Sequence, residues 1–200
     1  MTDSKTIDTY NSSANEFYKY FKSIGPRIVD IERGLGFVSA KENIKAVEIG
    51  CGDGRDGVEI IKRVGWYQGF DPSKEFLEIA GRNIPKSSLV LADDMSYDYP
   101  DNIDIVFSFA SLLHTSKEDL QKVFNKVYIS LKTGGIFYIS LKESKDYQQE
   151  TKKDKFGERI FYYYNPEIIQ SIAGNLFETV FEDHQTIGET NWFNIVLKKI

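Results

Sequence analysis

Three glycines at alternate positions separate an apolar run from an amphipathic one, and this stretch constrains the fold most strongly. Residues 44–49 predict a buried strand, and residues from about 54 to 64 predict a helix. Glycine between them lets the backbone turn tightly and approach a ligand without a Cβ clash. The amino end of the helix directs unpaired N–H groups at an anion. The stretch is therefore either a nucleotide- or carboxylate-binding corner, or a turn that uses glycine for packing alone.

The spacing of these glycines is G-x-G-x-G, and Arg55 follows at once. Dinucleotide-binding folds use G-x-G-x-x-G, which would require glycine at position 55. An acidic residue stands two positions before the first glycine. Residues 48–54 thus match (Asp/Glu)-x-Gly-x-Gly-x-Gly and resemble motif I of class I S-adenosylmethionine-dependent methyltransferases. The resemblance implies S-adenosylmethionine as the cofactor, bound by Glu48, Gly50, Cys51, Gly52 and Gly54.

Apolar strands and amphipathic helices alternate from residue 44 to residue 141, which predicts a parallel sheet covered on both faces. Two further strands, at about 176–186 and 191–199, flank Gly188 and predict an antiparallel hairpin at the sheet edge. The predicted fold is an α/β three-layer sandwich with a seven-stranded, mostly parallel sheet that ends in this C-terminal hairpin. The resembled family has this architecture.

The chain divides into an N-terminal helical lid, 1–43, and a methyltransferase domain, 44–200, with a short substrate-side insertion at about 142–164. Residues 1–10 are polar and are expected to be frayed or mobile without a ligand. A helical apolar stripe follows, which Gly25-Pro26 divides in two. The stripe packs on the sheet or, as the resemblance implies, closes over the cofactor. Tyr10 is then a cofactor contact and Phe17 a substrate contact.

Acidic residues stand at the carboxyl ends of the predicted strands, where α/β sheets bind ligands. Asp71 lies 21 residues after Gly50 and is followed by Pro72. Its carboxylate can accept both hydroxyls of a ribose, so Asp71 and Pro72 are assigned to the cofactor site. NAD is bound with the same geometry, so Asp71 indicates adenosine without identifying the cofactor. The alternative role is capping of the next helix.

A second acidic pair follows the third predicted strand. The resemblance implies that an acid here accepts a hydrogen bond from the adenine amino group, and Asp93 is preferred to Asp94 by alignment. Met95 is soft enough to pack on the adenine ring. Otherwise both acids are solvated loop residues.

Residues 107–114 resemble motif IV of small-molecule methyltransferases, which implies that Ser108 and Phe109 lie beneath the sulfonium. The stretch lacks the Asn/Asp-Pro-Pro-Tyr/Phe tetrad of amino-methylating DNA and glutamine enzymes. It also lacks the Pro-Cys nucleophile of cytosine C5 enzymes. His114 is the titratable group here with a pKa suited to base catalysis near neutrality, unless it only caps or packs.

The aromatic run at 159–164 resembles an Arg-x-(Phe/Tyr)-x-Tyr-Tyr stretch of some small-molecule methyltransferases. Strand alternation places Tyr162 and Tyr164 on one face and Tyr163 on the other. The resemblance implies that Tyr162, Tyr164 and Arg159 bind substrate and that Tyr162 contributes to catalysis. The alternative is an edge strand with one packed face. Trp192 on the last strand either reaches the same mouth or packs in the core.

The net charge of −5 offers no basic footprint for nucleic acid. One cysteine fits a cytoplasmic protein, and the histidines and the cysteine show no metal-ligand spacing. The expected protein is a monomer or homodimer without a membrane segment. It moves a methyl group to an N or O atom of a small molecule. The alternatives are a methyltransferase acting on tRNA or protein, a non-catalytic S-adenosylmethionine-binding module and, more distantly, an NAD-dependent reductase.

Overall fold

A seven-stranded sheet forms the middle layer of the structure, a computed structural model that describes residues 2–200. Its strands are β1 (Lys45–Ile49), β2 (Trp66–Asp71), β3 (Leu89–Leu91), β4 (Ile103–Phe109), β5 (Leu131–Lys142), β8 (Phe177–Ile187) and β9 (Thr190–Lys199). Their order is β3-β2-β1-β4-β5-β9-β8. The first five strands are parallel to one another, and β9 pairs antiparallel with both β5 and β8. The predicted topology is confirmed. A separate two-stranded sheet pairs β6 (Gln148–Asp154) with β7 (Gly157–Tyr163).

The helices are α1 (Ser4–Ser12), α2 (Ala14–Ile24), α3 (Ile28–Phe37), α4 (Arg55–Ile61), α5 (Lys74–Ala80), α6 (Lys117–Ser130) and α7 (Pro166–Ala173). Side-chain oxygens of Ser73, Ser116 and Asn165 each accept one of the free N–H groups in the first turn of α5, α6 and α7, respectively. None of the helices within residues 2–200 is long and apolar enough to cross a membrane.

The two faces of the sheet bury separate apolar clusters. Val47 of β1 packs in the cluster that contains Phe124 of α6, whereas the adjacent Ala46 packs with Ile31 of α3 and Ile60 of α4. Alternate residues of one strand therefore face opposite helical layers. Since both faces are covered, the strands are apolar along nearly their whole length.

The N-terminal segment is ordered, which corrects one expectation. Residues 1–10 were expected to be frayed, yet within the described residues α1 begins at Ser4, with the Asp3 carboxylate capping Thr6 N–H; residue 1 lies outside the described part. The Thr9 hydroxyl donates to the Glu158 carbonyl at 2.7 Å, and Ile160 N–H donates to Thr6 Oγ1 at 3.1 Å. The helix is held by buried threonines rather than by an apolar stripe, so its periodicity gave no signal.

The charged stretch after β5 is also more regular than its composition indicated. Residues 142–158 were expected to form an exposed insertion without apolar periodicity, but β6 occupies 148–154 and pairs along its whole length with β7. Every residue of β6 is exposed. Alternation of apolar and polar residues requires one buried face. Because β6 buries neither face, its sequence carries no strand pattern.

The N-terminal helices and the β6–β7 hairpin pack together into what we call the lid unit, residues 4–24 and 148–163. The Phe17 and Phe156 rings stack with centroids 4.1 Å apart, and the Ser13 hydroxyl donates to the Phe156 carbonyl at 2.7 Å. The Arg159 guanidinium lies 4.9 Å from the Phe17 ring and pairs with Asp154. These contacts join two segments that are far apart in sequence.

The close approach of α3 to the sheet predicts opposite effects of two alanine substitutions. A Cβ at Gly34 would lie 2.7 Å from Phe107 Cε1 and 3.1 Å from Tyr138, whereas a Cβ at Gly36, in the same helix, meets nothing within 4 Å. Gly34→Ala should therefore lower the free energy of unfolding by about 1–3 kcal/mol through overpacking. Gly36→Ala should raise it by up to about 1 kcal/mol through helix propensity. Urea denaturation measures both, and equal effects would contradict the packing of α3.

Candidate active site

The three glycines between β1 and α4 all adopt positive φ angles, but for different local reasons. The φ angles of Gly50, Gly52 and Gly54 are +66°, +53° and +80°. A Cβ at Gly50 would lie 2.3 Å from the Ser111 Cβ, and one at Gly54 would lie 2.9 Å from the Ala80 Cβ. A Cβ at Gly52 meets nothing within 4 Å. Gly50 and Gly54 thus permit packing as well as turning, whereas Gly52 faces open space.

Asp71, the last residue of β2, connects this glycine loop to the next one. Its carboxylate accepts N–H bonds from Gly52 at 2.9 Å and from Ser73 at 2.8 Å. Burial raises the pKa of Asp71 to about 6, against the opposing effect of these two donors. A carboxylate has about four acceptor positions, so two remain for a ligand.

Glu48 is buried at the end of β1 and accepts a hydrogen bond from the Tyr67 hydroxyl at 2.6 Å. Burial, with nearby Asp56, raises the pKa of Glu48 well above its usual range. The Tyr67 hydroxyl itself fits in a slot between Gly57 and Gly69, where an added Cβ would lie 2.3 and 2.4 Å away. The hydrogen bond from Tyr67 therefore occupies one Glu48 oxygen and packs β2 and α4 against the end of β1.

The two acids after β3 have different roles. The Asp93 carboxylate accepts N–H bonds from Met95 and Ser96, which closes a local turn. Asp94 is buried: its Oδ2 accepts from the Thr115 hydroxyl at 2.5 Å, and its Oδ1 has no partner. A buried oxygen without a partner is costly unless a ligand supplies a donor. The geometry therefore favours Asp94 over Asp93 as a ligand acceptor.

The end of β4 forms the floor beside the glycine loop. Ala110 has a φ angle of +56°, a conformation that a non-glycine residue adopts only under tertiary constraint and often at functional sites. The Ser111 hydroxyl donates to the Ile49 carbonyl at 2.7 Å, and Ser108 Oγ lies 3.0 Å from Ser111 Oγ. These bonds tie the ends of β1 and β4 together.

His114 links this floor to the lid unit. Its Nδ1 lies 2.6 Å from the Ile160 carbonyl and its Nε2 lies 2.8 Å from the Tyr10 hydroxyl. A carbonyl only accepts, so Nδ1 carries the proton and the Tyr10 hydroxyl donates to Nε2. Burial lowers the pKa of His114 to about 3. The expectation of a pKa near neutrality is therefore wrong for this conformation.

These groups meet around one cavity of about 530 Å³, a size typical of small-ligand sites. Of the residues that the sequence assigned to a site, the cavity is lined by Tyr10, Glu48, Gly50, Cys51, Gly52, Asp71, Pro72, Asp94, Phe109 and His114. Within residues 2–200 no group of His, Cys, Asp and Glu side chains is arranged to hold a metal ion.

The other assigned residues are outside the cavity lining: Gly54, Asp93, Met95, Ser108, Phe17, Arg159, Tyr162 and Tyr164. The Tyr164 hydroxyl donates to the Thr115 carbonyl at 2.5 Å, and the Tyr162 ring stacks on Tyr147 at 6.1 Å. The aromatic run thus supports the loop that carries Thr115 and His114. Its assignment to substrate binding and catalysis stays a prediction without support from this geometry.

Several wall residues escaped the sequence analysis. Asp56 accepts from Arg27 N–H at 2.7 Å and pairs with Arg55 at 3.0 Å, which fixes the start of α3 against α4. The Arg27 guanidinium lies 5.6 Å from the Phe109 ring and 6.0 Å from the Trp192 ring. Trp192, which the sequence analysis placed either at the mouth or in the core, also lines the cavity. Only tertiary contacts bring these side chains together. The charged residues Arg55 and Asp56, which directly follow the glycine loop in sequence, could nevertheless have been recognised as candidates for the cavity wall.

A match to a family model accords with this geometry. Residues 46–135, from β1 into β5, match the model described as a methyltransferase domain. Residues 46–135 are thus similar to a methyltransferase domain, and the chain as a whole has the fold expected of class I methyltransferases.

Curated proteins similar to this chain include two phosphoethanolamine N-methyltransferases. One, from Plasmodium falciparum (isolate 3D7), is 27% identical over 134 residues, which cover 63% of this chain and 48% of that one. The other, phosphoethanolamine N-methyltransferase 2 of Caenorhabditis elegans, is 30% identical over 189 residues, 82% of this chain and 42% of that one. The chain thus spans less than half the length of these relatives.

A solved methyltransferase structure shares the fold. The 1,6-didemethyltoxoflavin-N1-methyltransferase of Burkholderia thailandensis, with bound 1,6-didemethyltoxoflavin and S-adenosylhomocysteine, superposes with a TM-score of 0.72 at 15% identity. The match covers 96% of this chain and 86% of that one.

The pKa values of the two histidines of the chain should be shifted in opposite directions from the usual value. The pKa of buried His114 is about 3, whereas hydrogen bonds to Glu143 and Glu182 raise the pKa of exposed His184 above 6.5. NMR titration of the two imidazoles measures both values. Because His114 binds a proton more weakly when folded than its usual 6.5, its contribution to stability should be lost as the pH falls from 6.5 towards 3. A His114 pKa of 6 or above would contradict the closed pairing with Tyr10.

Proposed function

We propose that the protein transfers the methyl group of S-adenosylmethionine to an N or O atom of a small molecule. The observation that carries the proposal is the cavity that the glycine loop, Asp71 and Asp94 line together, with one Asp94 oxygen left without a partner. The whole activity and the substrate are our inference, since the chain spans less than half the length of these two curated relatives.

The residues present fit an adenosine cofactor. The free acceptor positions of Asp71 suit the ribose hydroxyls, and Asp94 Oδ1 suits the adenine amino group. The open space at Gly52 leaves room for the backbone to approach the ligand. At neutral pH Asp71, with a pKa of about 6, is mainly ionised and is a stronger acceptor for hydroxyl donors.

The bound cofactor would supply an already activated methyl group. The residues of this chain have the remaining tasks of orienting the acceptor and excluding water. Closure by the lid unit serves the second task, because Tyr10 reaches from α1 across the cavity to His114.

A small-molecule acceptor is supported over tRNA or protein by the cavity itself. The relatives named as phosphoethanolamine N-methyltransferases and the neighbour with bound 1,6-didemethyltoxoflavin act on or hold small molecules. The cavity wall carries more carboxylates than arginines, which disfavours a polyanion. A cytoplasmic location and a monomeric or homodimeric state are parts of the proposal taken from the sequence.

Calorimetric titration with S-adenosylhomocysteine tests the cofactor site through a matched pair of variants. Asp94→Asn should weaken binding by about 1–3 kcal/mol, because the amide N–H₂ would face the adenine amino group once its oxygen pairs with Thr115. Asp93→Asn should change binding little, since asparagine still closes the turn with Met95 and Ser96. Tight NAD binding without a response to S-adenosylhomocysteine would refute the proposed cofactor.

Hydrogen exchange tests the lid unit. Amides of residues 4–24 should exchange more slowly when S-adenosylhomocysteine is bound, because Tyr10 lines the cavity. Amides of residues 148–163 should slow with them, since the hairpin is bonded to α1 and α2. The α6 amides, residues 117–130, serve as the internal control. If neither segment responds, these elements are packing only; if one responds alone, they do not move as a unit.

A further inference from the structure

The half of the cavity away from Asp71 and Asp94 carries aromatic and apolar side chains around two paired arginines. Phe109 and Trp192 flank the Arg27 guanidinium, and Phe21 and Tyr20 of α2 contribute two more rings, 5.7 Å apart. We propose, resting on the proposed function, that this half binds an uncharged, flat aromatic acceptor and that the methyl group goes to a nitrogen lone pair. A phosphorylated amine, as in the names of the two curated relatives, would then not be the substrate.

The charges of the cavity wall disfavour a phosphate group. Among residues 2–200 the cationic side chains that line it are Arg27 and Arg55, and each has a carboxylate partner: Arg27 lies 3.5 Å from Asp30 and Arg55 lies 3.0 Å from Asp56. Six carboxylic acids line the same cavity: Asp30, Glu48, Asp53, Asp56, Asp71 and Asp94. A phosphate dianion would find no uncompensated cation and would be repelled by the acids.

The mouth of the cavity carries exposed apolar side chains. Ile24 of α2 and Ile187 at the end of β8 are 59% and 55% exposed, and both line the cavity together with Tyr20. Apolar side chains grouped at the rim of a pocket are typical of a binding surface rather than of scattered surface residues. An aromatic acceptor would cover this rim and remove apolar area from water.

Among residues 2–200, the side chains of this half that could act as a base already accept hydrogen bonds from the protein. His114 Nε2 already accepts from Tyr10. The Asp30 carboxylate accepts from Tyr138 at 2.8 Å and from Arg33 at 2.8 Å, and the Asp56 carboxylate accepts from Arg27 and Arg55. A hydroxyl acceptor needs a base, whereas a neutral nitrogen does not. The paired bases therefore favour nitrogen.

Methyl transfer to a neutral nitrogen needs no side chain of the protein to accept a proton. The acceptor nitrogen lone pair forms the new N–C bond, and the S–C bond breaks with its electron pair going to sulfur. The products are S-adenosylhomocysteine and an N-methylated cation. A nitrogen that carried hydrogen then loses a proton to solvent.

The test uses the full chain saturated with S-adenosylhomocysteine, at pH 7.5, and three probes. Isoquinoline is flat and uncharged and has a ring nitrogen; 1-naphthol has the same shape with a hydroxyl; phosphoethanolamine represents the phosphorylated amines. By calorimetry isoquinoline should bind and phosphoethanolamine should not. With S-adenosylmethionine in place of its product, isoquinoline should be methylated on nitrogen and 1-naphthol should not be methylated.

Two cavity variants and one control variant test whether isoquinoline binds in the proposed half of the cavity. Trp192→Ala should raise the isoquinoline Kd by about fivefold or more through loss of ring stacking. If that variant is unstable, Ile24→Ser at the rim should still raise the Kd measurably. Ile129→Ser, at a 73% exposed isoleucine of α6 outside the cavity, should leave it unchanged. None of the three should alter S-adenosylhomocysteine affinity.

Any of three results overturns the inference and leaves the proposed function standing: phosphoethanolamine binding and methylation, methylation of 1-naphthol, or isoquinoline binding that neither cavity variant weakens. Failure of isoquinoline to bind while S-adenosylhomocysteine binds normally also overturns it. Failure of S-adenosylhomocysteine itself to bind would instead refute the proposed function on which the inference rests.

Discussion

The buried carboxylate of Asp71 is the interaction on which the site depends. It accepts the backbone N–H of Gly52 from one loop and of Ser73 from the next, so it joins the ends of β1 and β2. Burial alone would favour the neutral acid, and the two N–H donors act against that tendency. Without this bridge the positive-φ glycine loop would lose the contact that fixes Gly52. The same atoms that hold the loop also offer acceptor positions to a ligand.

A second bridge runs from the sheet to the lid unit through His114. One ring nitrogen bonds to the Ile160 carbonyl of β7 and the other to Tyr10 of α1. An imidazole kept neutral by burial can be donor and acceptor at once, which an imidazolium cannot. The residue that the sequence suggested as a base is therefore a connector in this conformation. It joins the cavity floor to two lid segments.

The cavity is asymmetric in charge and in polarity. Its carboxylate-rich half, around Asp71 and Asp94, contrasts with the half formed by α2, β4 and β9, where the arginines are paired and the remaining surface is aromatic. The glycine loop, Asp71 and Asp94 of the first half all lie within the residues that match the methyltransferase domain. In the second half β4 also lies within the match, whereas α2 and β9 lie outside residues 46–135. Substrate choice can therefore differ between relatives that share the cofactor half.

The amino-acid sequence determined the parallel sheet, the antiparallel C-terminal hairpin and the position of the glycine loop. Strand and helix periodicity and positive-φ glycines are local properties, so these features are readable residue by residue. Tertiary structure alone decided which of Asp93 and Asp94 keeps a free oxygen, whether His114 is basic, and that Thr6 and Thr9 hold α1 in place. Hydrogen-bond partners and burial set these properties. The partners lie between 21 and 154 residues away in sequence, where no local pattern records them.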